Sequence, residues 1–382
     1  MSQWGQGYRG QQGRPQQQWR PPAQQWGQPT QQWGQPTQQW APPAQRWAPP
    51  AQQQSWGRIP SPNRYQPQAR PPRRSGSALR AIVIVIGAIF LGMVVVSMLT
   101  EQGPGGPSPQ IPPGEYQNES YQVPPIDTNP PELPMPQTYG EATTWMVDNA
   151  IYSSDVAVPV RCDAAPIDLS NASLSTLQDH MNELTACLMR VFGPAVEQAG
   201  YITVRPSVTI YTREVQTRCG SMPRQNASYC AADQQIYYAA DLPDIIPSRL
   251  QDSPYVVESV IAHEFGHAIQ GRTGILISEA AWEQNSGEAD ANEFSRRLEV
   301  QADCWSGQFI NSVKMSVGLD DNDVQQLSLL FYSIGDDQLS GDPNIEGNHG
   351  HGDSRRDWFL EGTVTTSMGA CNTFDAPAAA VR

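Results

Sequence analysis

Apolar residues fall along this chain in four different patterns, and each predicts a different kind of element. Residues 81 to 99, "AIVIVIGAIFLGMVVVSML", run nineteen positions without a charge or a polar face. At 1.5 Å rise per residue a helix here would be roughly 28 Å long, about the thickness of a bilayer's hydrocarbon core. In "SLSTLQDHMNELTACLMRVF" the residues Leu174, Leu177, Met181, Leu184 and Leu188 recur at helical spacing and predict an amphipathic helix, which His180 flanks as a packing or surface residue. "PSVTIYT" (206–212) and "QIYYAAD" (235–241) are short, β-branched and aromatic, and read as strands, with "CGSMPRQNASYC" (219–230) as a polar loop between them. Val256, Val257, Val260 and Ile261 open a further helix, with Ser253 as its expected cap and Pro254 in its first turn. "ANEFSRRLEVQADCWSGQFINSV" (291–313) has no breaker and predicts a second long helix. The expected fold class is α+β: a mainly helical domain with a small sheet ahead of the Val256 helix.

The first 60 residues have no such core-forming pattern. Trp19, Trp26, Trp33, Trp40 and Trp47 recur every seven residues in units such as "QQWGQPT", but each unit holds one or two prolines, which excludes a coiled coil. Gln, Pro, Gly and Trp bury too little surface to offset ordering entropy, so residues 1–80 are expected to be a disordered arm of polyproline-II character. It serves as a spacer or as a multivalent ligand for a cytoplasmic partner with aromatic grooves. The same 80 residues hold ten arginines and no acidic residue, so in a chain of net charge −14 the remainder carries −24. Arg70, Arg73, Arg74 and Arg80 precede the apolar run, and no basic residue follows it until Arg161. The positive-inside rule then predicts a single-pass protein with residue 81–100 as the transmembrane helix, the arm in the cytoplasm and the C-terminal domain outside. Residues 101–137 are Pro-rich and expected to form a linker or stalk; the domain proper is assigned to 138–382. At −24 the outer part is a poor nucleic-acid ligand, whereas the +10 arm suits anionic lipid heads.

All six cysteines, Cys162, Cys187, Cys219, Cys230, Cys304 and Cys371, lie in the part expected outside. An even number there suggests disulfides, with fifteen connectivities open. No CxxC pair occurs, so a zinc ribbon is not expected.

The chemistry is carried by "VIAHEFGHAIQ" (260–270). His263 and His267, four apart on a helix, project from one face, as two zinc ligands must, and Glu264 stands about 100° round, within reach of a water held there. Gly266 in mid-helix costs about 1 kcal/mol relative to alanine, acceptable where something packs tightly on its backbone. A third ligand is required. Glu299 is the leading candidate, because Glu299 and Asp303 lie four apart within the apolar surround "LEVQADCW", which buries both; His349, His351 and Glu279 are its rivals. In glutamate-type (gluzincin-like) sites the carboxylate one turn after the ligand accepts a ligating histidine's N–H, the role expected of Asp303.

Several ordered stretches resemble one family, the bacterial neutral zinc metallopeptidases, over about residues 140–375. They are "CGSMPRQNASYCAADQQIYY", "SVIAHEFGHAIQ", "RLEVQADCWSG", "NHGHGDSRRDWF" and "GACNTF". The resemblance implies a zincin-like peptidase fold that binds Zn²⁺ and hydrolyses protein or peptide substrates. Alignment on Trp358 and Phe359 makes His349 the family histidine, and His349 or Arg355 then becomes the candidate donor to the oxyanion. With "CNTF" in place we expect Cys304–Cys371, and Cys219–Cys230 across the polar loop, leaving Cys162–Cys187. A surface-tethered endopeptidase is the expected function. The alternative is a weakly catalytic or inactive zinc-binding adaptor whose Trp/Pro arm recruits partners.

Overall fold

The computed structural model describes residues 116–169 and 172–382. The arm, the apolar run at 81–100 and the first part of the Pro-rich segment lie outside the described residues. Among the described residues no helix is long and apolar enough to cross a membrane. The described part of the Pro-rich segment, 116–137, is extended but bonded to the domain. Gln117 and Ile126 form single bridges to Val160 and Arg205, Leu133 is buried, and the Pro131 carbonyl accepts from Gln234 and from Arg272, each at 2.8 Å. Proline gives up a donor but keeps its acceptor, so such a segment can pack without pairing in a ladder. The globular part therefore begins upstream of residue 138.

Helix α1 (Tyr139–Val147) is capped by the Thr138 side chain, and α2 (Leu174–Gln198) by Ser173. In α2 the expected stripe is buried at Leu177, Met181, Leu184 and Leu188, whereas Leu174, in the first turn at the open end, is exposed. Five short strands follow. β1 (Val208–Tyr211) and β5 (Gln235–Ala239) match the two predicted strands and pair in parallel. The "polar loop" between them is a correction: it contains β3 (Gly220–Met222), paired with β2 (Val215–Thr217), and β4 (Ala227–Cys230), paired antiparallel with β5. Small residues such as Ala227 and Ser228 give no hydrophobic alternation, but Tyr229 and Cys230 are buried and anchor β4. The main sheet has the order β1-β5-β4, which leaves β4 at its edge.

Helix α3 (Val256–Arg272) carries the two histidines. It starts later than Ser253 and Pro254 implied, because Tyr255 adopts a left-handed φ of 65° and turns the chain. The buried Tyr255 ring holds that turn by donating its hydroxyl to the Ala164 carbonyl. His180 packs nearby, bonded to Glu258 at 2.8 Å, in the structural role expected of it. Next come α4 (Ile275–Glu283), α5 (Glu288–Val317), α6 (Asp321–Ser333), the short α7 (Asp336–Ser340) and α8 (Gly352–Val364). Trp305, Phe309, Phe331 and Phe359 are buried between α5, α6 and α8, each stabilising by roughly 1.5–3 kcal/mol.

Two close approaches set the helix positions. A Cβ on Gly266 of α3 would stand 3.0 Å from the Cα and Cβ of Ala302 on α5, so the mid-helix glycine does permit tight packing. Where α5 crosses α8, a Cβ on Gly307 would meet the Phe359 carbonyl oxygen at 2.0 Å. The cysteines pair as Cys162–Cys187, Cys219–Cys230 and Cys304–Cys371, the connectivity read in the sequence. Closing the 67-residue separation of the last contributes about 4 kcal/mol in the chain-entropy model.

Candidate metal centre

Helical spacing puts His263 and His267 on the side of α3 that meets α5, where both are buried. Their Nε2 atoms lie 3.1 Å apart. Glu299 reaches across from α5, with Oε2 3.3 Å from His263 Nε2 and Oε1 3.5 Å from His267 Nε2. Among the described residues, His263, His267 and Glu299 form the one group of histidine, cysteine and carboxylate side chains whose ligand atoms lie mutually within 4.8 Å. Tetrahedral zinc with bonds of about 2.0–2.1 Å holds its ligand atoms about 3.3–3.4 Å apart. The residues present fit zinc, in both donor type and spacing.

The outward-facing ring nitrogens are also held. His263 Nδ1–H donates to Asp303 Oδ1 at 2.7 Å, as its position one turn after Glu299 implied. Arg355 of α8 donates Nε to Asp303 Oδ2 and Nη2 to Oδ1, both at 2.9 Å. His267 Nδ1–H donates instead to Gln270 Oε1 at 2.8 Å, and Gln270 Nε2 donates to the Leu298 carbonyl and to Gln301 Oε1. Each histidine is thereby fixed with Nε2 turned inward, as a metal ligand requires.

Charge follows the same geometry. Burial disfavours the His263 imidazolium, but Asp303 and Glu299 outweigh burial and raise its pKa to about 10 in the metal-free chain. Burial likewise opposes ionisation of Glu299 and Asp303, yet both stay below the usual carboxylate range: Glu299 through His267, His263 and His349, and Asp303 through Arg355 and His263. Arg355 is held firmly charged by Asp303 against the penalty of its burial.

The remaining expected site residues occupy distinct places. Glu264 is buried, and its Oε2 accepts the backbone N–H of Tyr229 on the edge strand β4 at 2.7 Å. His349 is outside the ligand group but close enough to Glu299 to help keep it ionised. Its ring Nδ1 meets Asp336 Oδ1 at 3.3 Å, and the N–H groups of His349 and Gly350 donate to Asp336 Oδ2. His351 points away, with Nε2 donating to the Ile345 carbonyl at 2.7 Å. Arg355, expected to be an oxyanion donor, stands behind His263 with both Nε and Nη2 directed at Asp303. The Cys304–Cys371 bond ties the terminal segment to α5, and Gln301 Nε2 donates to the Cys371 carbonyl, but the hydrogen bonds that orient His349 come from Asp336.

Three participants were absent from the sequence reading. Gln270 was detectable, since it lies three residues after His267 on the same helix. Asp336 and the Tyr229 N–H were not, because nothing local joins Asp336 to His349 or a strand's backbone to Glu264.

The sequence profile of the family described as "Putative neutral zinc metallopeptidase" matches residues 166–374. The chain is 28% identical over 218 residues to the uncharacterized protein YpfJ of Escherichia coli strain K12, covering 54% of this chain and 75% of that one. It is 29% identical over 219 residues to the uncharacterized proteins Mb2605 of Mycobacterium bovis and Rv2575 of Mycobacterium tuberculosis, covering 51% of this chain and 72% of each of those. No solved structure matches the chain significantly. The matched stretch takes in α3, the whole ligand group and its supports, and by it the chain belongs to the neutral zinc metallopeptidase family.

Proposed function

We propose that the chain is a membrane-anchored, extracytoplasmic zinc endopeptidase acting on envelope or secreted proteins. One observation carries the chemical part: two Nε2 atoms and a carboxylate converge at 3.1–3.5 Å, with both histidines fixed from behind and Glu264 on the same helix. Zinc, when bound there, supplies a Lewis acid that makes a water acidic near neutral pH and polarises a peptide carbonyl. Glu264 accepts the water's proton and delivers it to the leaving amine. The Tyr229 N–H steadies the Glu264 carboxylate for that transfer. His349, oriented by Asp336, donates to the developing oxyanion. Arg355 acts through Asp303 on His263 and is a positioning residue.

The anchoring and the outward orientation are supported by the uncharged run at 81–99, by the arginines before it and by cysteines paired throughout the domain. Protease added to spheroplasts should remove the C-terminal domain and spare the Trp repeats; the reverse pattern contradicts the topology. The repeats favour a second reading, a zinc-binding adaptor that recruits cytoplasmic partners. A casein or quenched-peptide assay of the zinc-loaded chain separates the two. The peptidase reading predicts hydrolysis that Glu264→Gln abolishes with zinc retained, whereas no turnover by either protein supports the adaptor and equal turnover by both contradicts the role given to Glu264.

A further inference from the structure

The support behind His267 does not end at Gln270. Gln270 of α3 and Gln301 of α5 are both fully buried, so the polar atoms of their amides need partners inside the protein. Gln270 Nε2 donates to the Leu298 carbonyl at 2.8 Å and to Gln301 Oε1 at 3.1 Å. Gln301 Nε2 donates in turn to the Tyr152 hydroxyl at 3.0 Å and to the Cys371 carbonyl at 3.1 Å. The Tyr152 hydroxyl donates to the Met146 carbonyl of α1 at 2.8 Å. An unbroken line of hydrogen bonds thus runs from the ligating ring through Gln270 and Gln301 to Tyr152. It reaches two segments that supply no ligand, the 3₁₀ turns Ala150–Ser153 and Met368–Cys371.

The direction of every bond in the line follows from its ends. The carbonyls of Met146, Leu298 and Cys371 can only accept. Met146 takes the single hydroxyl hydrogen of Tyr152, so Tyr152 is an acceptor towards Gln301. Gln301 must therefore turn its NH₂ to Tyr152 and Cys371, which sets its oxygen against Gln270. Gln270 must turn its NH₂ to Leu298 and to that oxygen, which leaves its own oxygen for His267. His267 then has to present Nδ1–H, and its Nε2 keeps the lone pair that a metal takes. A flip of either amide would set two acceptors face to face, with no water-exposed edge to relieve them. The line also meets the disulfide. Cys371, whose carbonyl anchors Gln301, is bonded to Cys304, the residue after Asp303. One crosslink thus adjoins the supports of both histidines.

We propose that Gln301 is a positioning residue of the metal centre: held by Tyr152 and by the disulfide-bound Cys371, it orients Gln270 and through it fixes the ring and the tautomer of His267. The Cys304–Cys371 bond contributes to metal affinity by this route, besides its contribution to stability. The assignment rests on the zinc reading of the site and is independent of whether the site hydrolyses peptides.

The test is a double-mutant cycle in the full-length chain, with zinc affinity read by competition with a chelating dye. Gln301→Leu should weaken zinc binding by about three- to tenfold, less than the loss of a direct support, and the milder Tyr152→Phe should weaken it by less again. In a Gln270→Leu background neither change should have a further effect, because the line to His267 is already cut. Losses that add in that background would make Gln301 a packing residue and overturn the proposal. Replacing Cys304 and Cys371 together by alanine should lower zinc affinity, whereas the same replacement of Cys162 and Cys187 should leave it unchanged; equal losses would overturn the part given to the disulfide. A further readout needs no metal. In the metal-free chain, at a pH above the ordinary histidine value of about 6.5, nitrogen-15 spectra should show His267 as the Nδ1–H tautomer. That hydrogen should exchange with water faster in Gln301→Leu. An Nε2–H tautomer in the native chain, or exchange unchanged in Gln301→Leu, overturns the proposal. A native chain that takes up no zinc removes the zinc reading, and the tautomer and its exchange then decide whether the line positions His267.

Discussion

The two histidine ligands sit one turn apart on α3, yet they are supported in opposite ways. His263 is backed by a buried carboxylate on α5, which is itself clamped by a guanidinium on α8. His267 is backed by a neutral amide three residues along its own helix. The first support spans three helices and 92 residues from His263 to Arg355; the second starts on the same helix and is held to α5 through Leu298 and Gln301. The charged support raises the basicity of the His263 ring, and Arg355 then cancels the Asp303 charge. A bound ion therefore meets one net negative charge, that of Glu299. The neutral support orients His267 without adding charge. One helix thus presents a ligand backed by a charged group across the helix interface and a second backed by a neutral amide of its own helix, which α5 holds in turn.

Breaking the charged support should have the largest effect. Arg355→Ala leaves Asp303 buried beside only His263, and removing one partner of a buried ion pair costs about 3–5 kcal/mol. Denaturant unfolding of the metal-free chain should show that loss, while Gln270→Ala should cost about 1–3 kcal/mol, the penalty of neutral buried groups left unpaired. Equal losses would erase the distinction.

Asp303→Asn is the next step down, because it gives His263 the kind of neutral partner His267 already has. Loss of such a support lowers metal affinity by about 10–100-fold, which competition with a chelating dye will measure. Gln270→Leu removes a neutral orienting acceptor, together with the donor to Leu298 and Gln301, and should fall at or below the bottom of that range. A Gln270→Leu loss exceeding that of Asp303→Asn would contradict the account.

Gly266→Ala probes the α3–α5 packing, which the charged support crosses at its first bond and the neutral support only at its second. Its Cβ would press on the Ala302 backbone at 3.0 Å, and overpacking of about 1–3 kcal/mol less about 1 kcal/mol of helix propensity leaves a net cost near 1 kcal/mol. The shift separates α3 from α5 and so acts directly on His263–Asp303, whereas it reaches His267 only through the bonds of Gln270 to Leu298 and Gln301. In proton spectra the downfield Nδ1–H resonance of His263 should change more than that of His267.

The smallest effect is a count of protons. With its pKa raised to about 10, His263 in the metal-free chain holds a proton at neutral pH that zinc must displace. A raised pKa stabilises the fold fully below the unfolded value near 6.5, and that contribution disappears as pH rises through about 10. Zinc affinity therefore climbs with pH over the same window. Calorimetry at pH 7 in buffers of different ionisation enthalpy should give about one proton released per zinc, and less in Asp303→Asn. No release from the native chain would mean that Asp303 does not raise His263.

The same contrast explains what could be read from the sequence. Local spacing exposed His263, His267, Glu264, Glu299 and Asp303, because i, i+4 positions on an uninterrupted helix share a face whatever the rest of the chain does. Gln270 obeys the same rule and was open to the same reasoning. Arg355 was recognised as part of the site but given the wrong neighbour, since the crossing of α5 and α8 depends on glycines whose close approach no periodicity reveals. Asp336 was invisible for the same reason: its bonds to His349 depend on where α7 lies in the tertiary fold. Strand β4 was missed because Ala227 and Ser228 give no apolar alternation before Tyr229, and only the pairing with β5 makes the four residues a strand. The disulfides were legible because cysteines bound a short loop and because the resemblance of the terminal Cys-Asn-Thr-Phe to the family's segment implied the partner of Cys304; the residues alone left the set open.

The central claim is that His263, His267 and Glu299 together hold one zinc ion. Its most direct test is the metal content of the purified chain after equilibration with buffered zinc and gel filtration, measured beside Glu299→Ala and His349→Ala. The account predicts one zinc per native chain, the same for His349→Ala, and an affinity lower by orders of magnitude for Glu299→Ala, because a charged ligand is lost. Full occupancy in Glu299→Ala with an empty site in His349→Ala would contradict it.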